Sequence, residues 1–257
     1  MRLLQIHDDG DLSLTKDLIG NVPPYGILSH TWGSDEEEIT FQDLQIQNGS
    51  WREKLAFRKI QFCARQAKRD GLQYCWIDTC CIDKSNNSEL SEAIISMFRW
   101  YRNAIRCYVY LIDVVDDDQD LNNPVLSFNR IEPMFKKSRW FTRGWTLQEL
   151  VAPPIVEFYS REGKLLGDKK SLERQICGIT GVSVNALRGH ALSSFTVAER
   201  LSWAEYRETK REEDQAYSLF GLFGVYMPPL YGEGYENAFR RLRTEIDKGS
   251  DGAPYSR

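Results

Sequence analysis

The chain predicts an α/β fold, a parallel sheet flanked by helices and followed by a helical C-terminal subdomain. Two observations carry this. From Tyr25 to Tyr159, short apolar runs rich in β-branched and aromatic residues alternate with stretches of helical periodicity, the pattern of parallel strands joined by helical crossovers. Beyond residue 160 the pattern changes and its period is helical.

After a short apolar opening, Val22-Pro23-Pro24 forms a rigid entry to the first predicted strand, Tyr25 to His30. That strand runs into Thr31-Trp32-Gly33-Ser34 and then the acidic run Asp35 to Glu38. Open α/β sheets bind ligands just past the carboxyl ends of their strands, so Ser29, His30, Trp32 and Gly33 are candidates for a pocket wall. The same residues also make an ordinary strand-to-loop turn, and the pattern does not choose.

An amphipathic helix is predicted from Glu53 to Asp70, with Leu55, Ile60, Cys63, Ala64 and Ala67 as its apolar stripe and Gly71 as its stop. Tyr74 to Asp78 is the second strand, and Thr79 to Asn87 a polar loop carrying Asp83 and Lys84. Ser88 caps the next helix, whose Met97, Phe98 and Tyr101 read as core. Cys107 to Ile112 is the third strand, Asp113 to Asn123 an acidic, mobile insertion, and Pro153 to Tyr159 the fourth strand. Helices follow over Leu172 to Ile179, Thr196 to Glu208, Glu213 to Phe223 and Tyr235 to Asp247. The division expected is a core over 20–160, a helical extension over 161–246 and a disordered tail over 247–257. Right-handed crossovers gather the loops after each strand on one edge, so Asp78 and Asp83 join the Ser29 to Gly33 segment there.

Composition narrows the function classes. With 257 residues, 42% of them hydrophobic and 12% aromatic, the chain has ample material for a core. Its net charge is −4 and its lysines and arginines are dispersed, which argues against a nucleic-acid partner. No apolar run approaches membrane-spanning length and the first residues turn acidic early, so the expected location is cytoplasmic, with no membrane partner. Six cysteines and three histidines show no zinc-type spacing, and no metal is expected. Most of the cysteines read as reduced, buried small hydrophobes; Cys80 or Cys81 as a nucleophile lacks a nearby histidine in sequence.

Ser138 to Leu150 is the most unusual stretch. Trp140, Trp145, Arg139, Arg143 and one acid, Glu149, fall within about three turns if all of it is helical. Helical spacing would stack Trp145 on Glu149, and an aromatic plate beside a lone acid and arginines suits a ligand that is part flat ring and part phosphate. The other reading is a surface helix with core tryptophans and a solvated glutamate.

Several blocks in order resemble the fungal heterokaryon-incompatibility (HET) domain: Tyr25-Gly-Ile-Leu-Ser-His-Thr-Trp-Gly33, Trp76-Ile-Asp-Thr-Cys-Cys-Ile-Asp83, Met97-Phe-Arg-Trp-Tyr101 and Arg143-Gly-Trp-Thr-Leu-Gln-Glu149. Asp214 to Gly224 and Leu230-Tyr-Gly-Glu-Gly234 continue the likeness, which extends over residues 1–246. Within that family the chain is most similar to incompatibility proteins that place this domain ahead of NACHT and WD-repeat modules. The family is in turn remotely similar to TIR domains, implying a TIR-like, flavodoxin-like core. Here the strand Ile27-Leu28-Ser29-His30 and the segment from Ser138 to Leu150 carry the comparison, while the insertion from Asp113 to Pro133 and the helical C-terminal region depart from it.

The resemblance implies a cell-death effector that is active when self-associated and that cleaves NAD as substrate, with no cofactor and with Glu149 as the catalytic residue. One acid is chemically sufficient. The nicotinamide leaving group is already a cationic pyridinium, so the second carboxyl group that glycosidases use to protonate a leaving group is not needed. The transition state wants negative charge near the oxocarbenium ion, an acceptor for ribose hydroxyls and an aromatic surface for a base. Glu149 supplies the first two and Trp32 or Trp145 the third, with Arg143 toward the pyrophosphate. The alternative is a non-catalytic adaptor that signals death by recruiting proteins through surface helices.

Overall fold

A computed structural model describes residues 1–46, 49–116 and 124–251, the side chains of 124–129 and 250–251 excepted. Seven strands form one sheet: β1 (Leu4–Ile6), β2 (Leu12–Leu14), β3 (Gly26–His30), β4 (Tyr74–Trp76), β5 (Arg106–Tyr110), β6 (Val156–Tyr159) and β7 (Leu165–Asp168), in the spatial order β2-β1-β4-β3-β5-β6-β7. The four strands expected from the sequence are its parallel centre, in register through Ile27 opposite Trp76, Ser29 opposite Val109, and Val109 opposite Phe158.

The parallel sheet flanked by helices is extended at both edges by antiparallel strands. β1 runs antiparallel to β4 and to β2, and β7 antiparallel to β6. β1 and β2 are three residues each, too short to show a periodicity, and Leu165-Leu166 was absorbed into a region of helical pattern. A tight turn makes the second edge possible: Gly163 takes φ +81°, a left-handed value suited to glycine, as Ser160 N–H donates to the Lys164 carbonyl at 2.9 Å. The sheet therefore draws on residues either side of 20–160.

The spatial order in the centre is β4-β3-β5-β6, so the direction of succession reverses between β3 and β5. By the right-handed rule, the Phe57–Arg69 helix crosses on one face while the Asn87–Asn103 and Thr146–Val151 helices cross on the other. The first packs on β3, β4 and β5; the latter two touch each other. Asn86, rather than Ser88, caps the second helix, accepting from the Ser88 and Glu89 amides at 3.1 and 3.2 Å. The carboxyl ends of β3 and β5 are the place such a topology offers a ligand.

Further differences have local causes. The insertion contains a helix, Pro124–Lys136, whose Phe135 packs edge-on against Phe141 and Phe158 at 5.1 and 5.5 Å; residues 117–123 lie outside the described part. The last helix runs from Tyr235 to Asp251, so 247–251 of the expected tail are helical, and 252–257 lie outside the described residues. C-terminal to β7 the described elements are helical. All six cysteines are free, and all but the half-buried Cys177 are buried.

Candidate active site

The stretch from Ser138 to Leu150 is not one helix. A 3-10 turn over Arg139–Thr142 is followed by an extended Arg143, with φ −82° and ψ 137°, and then by the Thr146–Val151 helix. Tertiary pairing wins over helical bonding here: Glu208 N–H donates to the Thr142 carbonyl at 2.6 Å, and Gly144 N–H donates to the Glu208 carbonyl at 2.9 Å. The break sends the two tryptophans to different places. Trp140 becomes fully buried against Phe141 and Phe158, whereas the Trp145 indole bonds to Asp214. The stacking of Trp145 on Glu149 that continuous helical spacing implied has no counterpart in these bonds.

Glu149 sits at the carboxyl end of β3, only 7% exposed. Ser29 donates its hydroxyl proton to Glu149 Oε2, and the Ser29 oxygen accepts from Trp140 Nε1 at 2.7 Å. Tyr101 also meets the Glu149 side chain, but its single hydroxyl proton goes to the Leu28 carbonyl at 2.9 Å. The contact with Tyr101, like the Ser29 bond, favours the ionised carboxylate. Burial outweighs them and pushes Glu149 up to about 8, with the charge of Asp78 adding to it, while the Ser29 and Tyr101 contacts and the charge of Arg207 hold it back.

Consecutive side chains of a strand point to opposite faces, so His30 begins a second cluster beside the first. His30 Nε2 lies 3.1 Å from Asp78 Oδ1, and the Trp32 indole N–H donates to Asp78 Oδ2 at 2.9 Å. Lys84 Nζ stands 3.7 Å from the same oxygen and 3.6 Å from the centre of the Trp32 ring. Burial alone would raise Asp78, but Lys84, His30 and the Trp32 N–H outweigh it and hold the carboxyl down at about 2. This cluster opens to solvent, with Trp32 38% exposed.

The other candidates fall outside these two clusters. Gly33 N–H donates to Glu38 Oε1 at 2.6 Å, and Glu38 in turn pairs with the buried Lys59, so the segment after β3 is tied down by a buried ion pair. Asp83 organises its own loop, accepting from the Ser85 amide, the Ser85 hydroxyl and Gln42 Nε2 at 3.0, 2.6 and 2.7 Å. Arg143 contributes its backbone carbonyl to Arg207 at 2.9 Å, and its half-exposed guanidinium makes no ion pair among the described residues.

Arg207 was not foreseen. It is buried, donates to the Arg143 carbonyl and the Thr146 hydroxyl at 2.9 Å each and to the Trp203 carbonyl at 3.1 Å, and its Nη2 has no partner among the described residues. Burial lowers it to about 9, and the charge of Glu149 opposes that. No local signal separates this arginine from Arg200 on the same predicted helix. Tyr101 is core, as its helical spacing predicts, and its hydroxyl also belongs to the site. No group of three or more potential metal ligands occurs among the described residues, and no helix there is long and apolar enough to cross a membrane.

Fold and site together define an α/β domain that holds one buried carboxyl group at the end of a central parallel strand, beside an open cluster of indole, carboxylate and ammonium. Residues 25–133 match the family model described as Heterokaryon incompatibility protein (HET), and the chain carries a domain of that family. It is 56% identical over 250 residues to the Vegetative incompatibility protein HET-E-1 of Podospora anserina, an alignment covering 96% of this chain and 18% of that protein. The chain thus spans about a fifth of the length of this relative. No solved structure matches it.

Proposed function

We propose that the chain is the cell-death effector domain of a vegetative-incompatibility protein and that it hydrolyses NAD to nicotinamide and ADP-ribose. The observation that carries the reading is the lone buried carboxyl group of Glu149, poised between its neutral and charged forms next to an exposed cation-binding face. In the reaction the bond between ribose C1′ and the pyridinium nitrogen breaks, its electron pair goes to the ring nitrogen, and neutral nicotinamide leaves. Ionised Glu149 stabilises the oxocarbenium ion. Water adds to C1′ and loses a proton to Glu149 or to solvent.

A cationic pyridinium brought close to Glu149 lowers its pKa, so binding would generate the ionised form that the reaction needs. The resting carboxyl group is held by Ser29, itself bonded to Trp140, and by Tyr101, and substrate must displace part of this cover. We propose that self-association supplies that change, and that in the full-length protein NACHT and WD-repeat modules would drive it. The same closure of Glu149 also fits the second reading, a non-catalytic adaptor whose glutamate is structural. Expression in fungal cells at matched protein level separates the two: the enzyme reading expects Glu149→Gln to abolish killing and NAD loss together, and undiminished killing by that variant would refute it.

A further inference from the structure

We propose that Lys84 is the resident cation of the site's outer subsite, held on the face of Trp32 until a flat cationic ring, the pyridinium of the substrate, takes its place. The inference rests on the NAD reading for the identity of the ring and on geometry for the exchange. Trp32 presents an indole face that is partly open to solvent, and its N–H is fixed to Asp78 at 2.9 Å, so the ring is pinned at its edge while its face is left to a cation. The Lys84 ammonium lies 3.6 Å from the ring centre and 3.7 Å from Asp78 Oδ2.

Indole face and carboxylate together form a site for a positive charge, since the ring quadrupole and the anion attract it from two directions. His30 holds the other oxygen of Asp78 at 3.1 Å, which leaves the Lys84 side of the carboxylate as the side where cations exchange. Lys84 stands in the loop after β4, on a flexible four-carbon stem, and can swing away without moving the backbone. An ammonium displaced by a pyridinium would then be free to meet the pyrophosphate of the same ligand. A lysine in this place also discriminates: it competes for the face, so a neutral aromatic ring, which gains little from Asp78, displaces it less well than a cationic one.

The test is binding, without turnover. Purified protein is titrated with N-methylnicotinamide, a pyridinium that carries no ribose, and in parallel with neutral nicotinamide, with tryptophan fluorescence as the readout and Trp32→Phe as the baseline. Lys84→Met is expected to tighten N-methylnicotinamide binding by about tenfold and nicotinamide binding by less than half that factor. Lys84→Arg, which restores a cation, should return the wild-type affinity. Asp78→Asn should weaken the pyridinium in both the wild-type and the Lys84→Met backgrounds. Unchanged or weaker pyridinium binding in Lys84→Met overturns the proposal. So does an equal gain for both rings, which would make Lys84 a steric cover only. Tighter pyridinium binding in Lys84→Met with no NAD consumption by any form would leave the cation subsite standing and sink the NAD reading instead.

Discussion

Replacing Glu149 with glutamine should stabilise the domain, and by more as pH rises. Glutamine keeps the shape of the neutral acid and an oxygen to accept from Ser29, but it cannot ionise. The wild-type carboxyl group has an ordinary value of 4.5 and is pushed up to about 8 when folded, chiefly by burial. Below 4.5 the group is protonated folded and unfolded, and it costs nothing. Between 4.5 and about 8 the unfolded chain releases the proton while the folded chain keeps it, so the wild type loses stability as pH rises through that window. Each pH unit costs about 1.4 kcal/mol, giving a penalty of about 2 kcal/mol near pH 6 and about 4 kcal/mol near pH 8. For a domain of this size 1 kcal/mol moves Tm by roughly 2–4 °C, so the gap between Glu149→Gln and wild type should widen by on the order of 10 °C from pH 5 to pH 8. Thermal melts of the two proteins across that range measure it directly, because every other titrating group is common to both. Parallel Tm curves, or a wild type more stable than the variant at pH 8, would refute the buried, neutral glutamate.

Other consequences follow from the same geometry. If ionised Glu149 does the chemistry, kcat/KM for NAD should climb with pH and level off above about 8, and a profile already flat at pH 6 would contradict the raised pKa. Arg207→Gln removes a charge that holds Glu149 down, so the rise should move to higher pH; Arg207→Lys should keep the wild-type profile while losing some Tm to its poorer hydrogen bonding. Ser29→Ala leaves the Trp140 N–H without its acceptor and Glu149 without its donor, and denaturant melts should show a loss of about 1–3 kcal/mol together with a large drop in turnover. Gly144→Ala would place a methyl group 2.4 Å from Thr209 Cγ2, at the junction that aims the Thr146–Val151 helix; about 1–3 kcal/mol of destabilisation is expected, and an unaffected protein would mean the junction is looser than the structure has it.

The parallel centre of the sheet was legible because its strands are apolar runs with helical crossovers between them, a pattern written locally in the chain. Its edges were not: β1, β2 and β7 are as short as β4 and β6 but each joins a neighbour through a tight antiparallel turn with no helical crossover to mark it, so their identity lies in the partner rather than in the run. The Ser29 to Trp32 segment could be picked out as a candidate because strand ends in such sheets are ligand sites by topology. The pairing of Trp140 rather than Trp145 with the glutamate network could not. Helical spacing favoured Trp145, and the break that reverses the choice is imposed by Glu208, some sixty residues further along the chain. Arg207 was hidden for the same reason, since its role comes from the carbonyl and hydroxyl groups that surround it.

The central claim is that the carboxyl group of Glu149 cleaves NAD, and one measurement reaches it directly: nicotinamide released from NAD by the purified domain, followed by chromatography at increasing protein concentration, wild type against Glu149→Gln. Release by the wild type is expected to rise more steeply than in proportion to concentration, with none by the variant despite its expected greater stability. No release by the wild type at any concentration, or equal release by both, would contradict it.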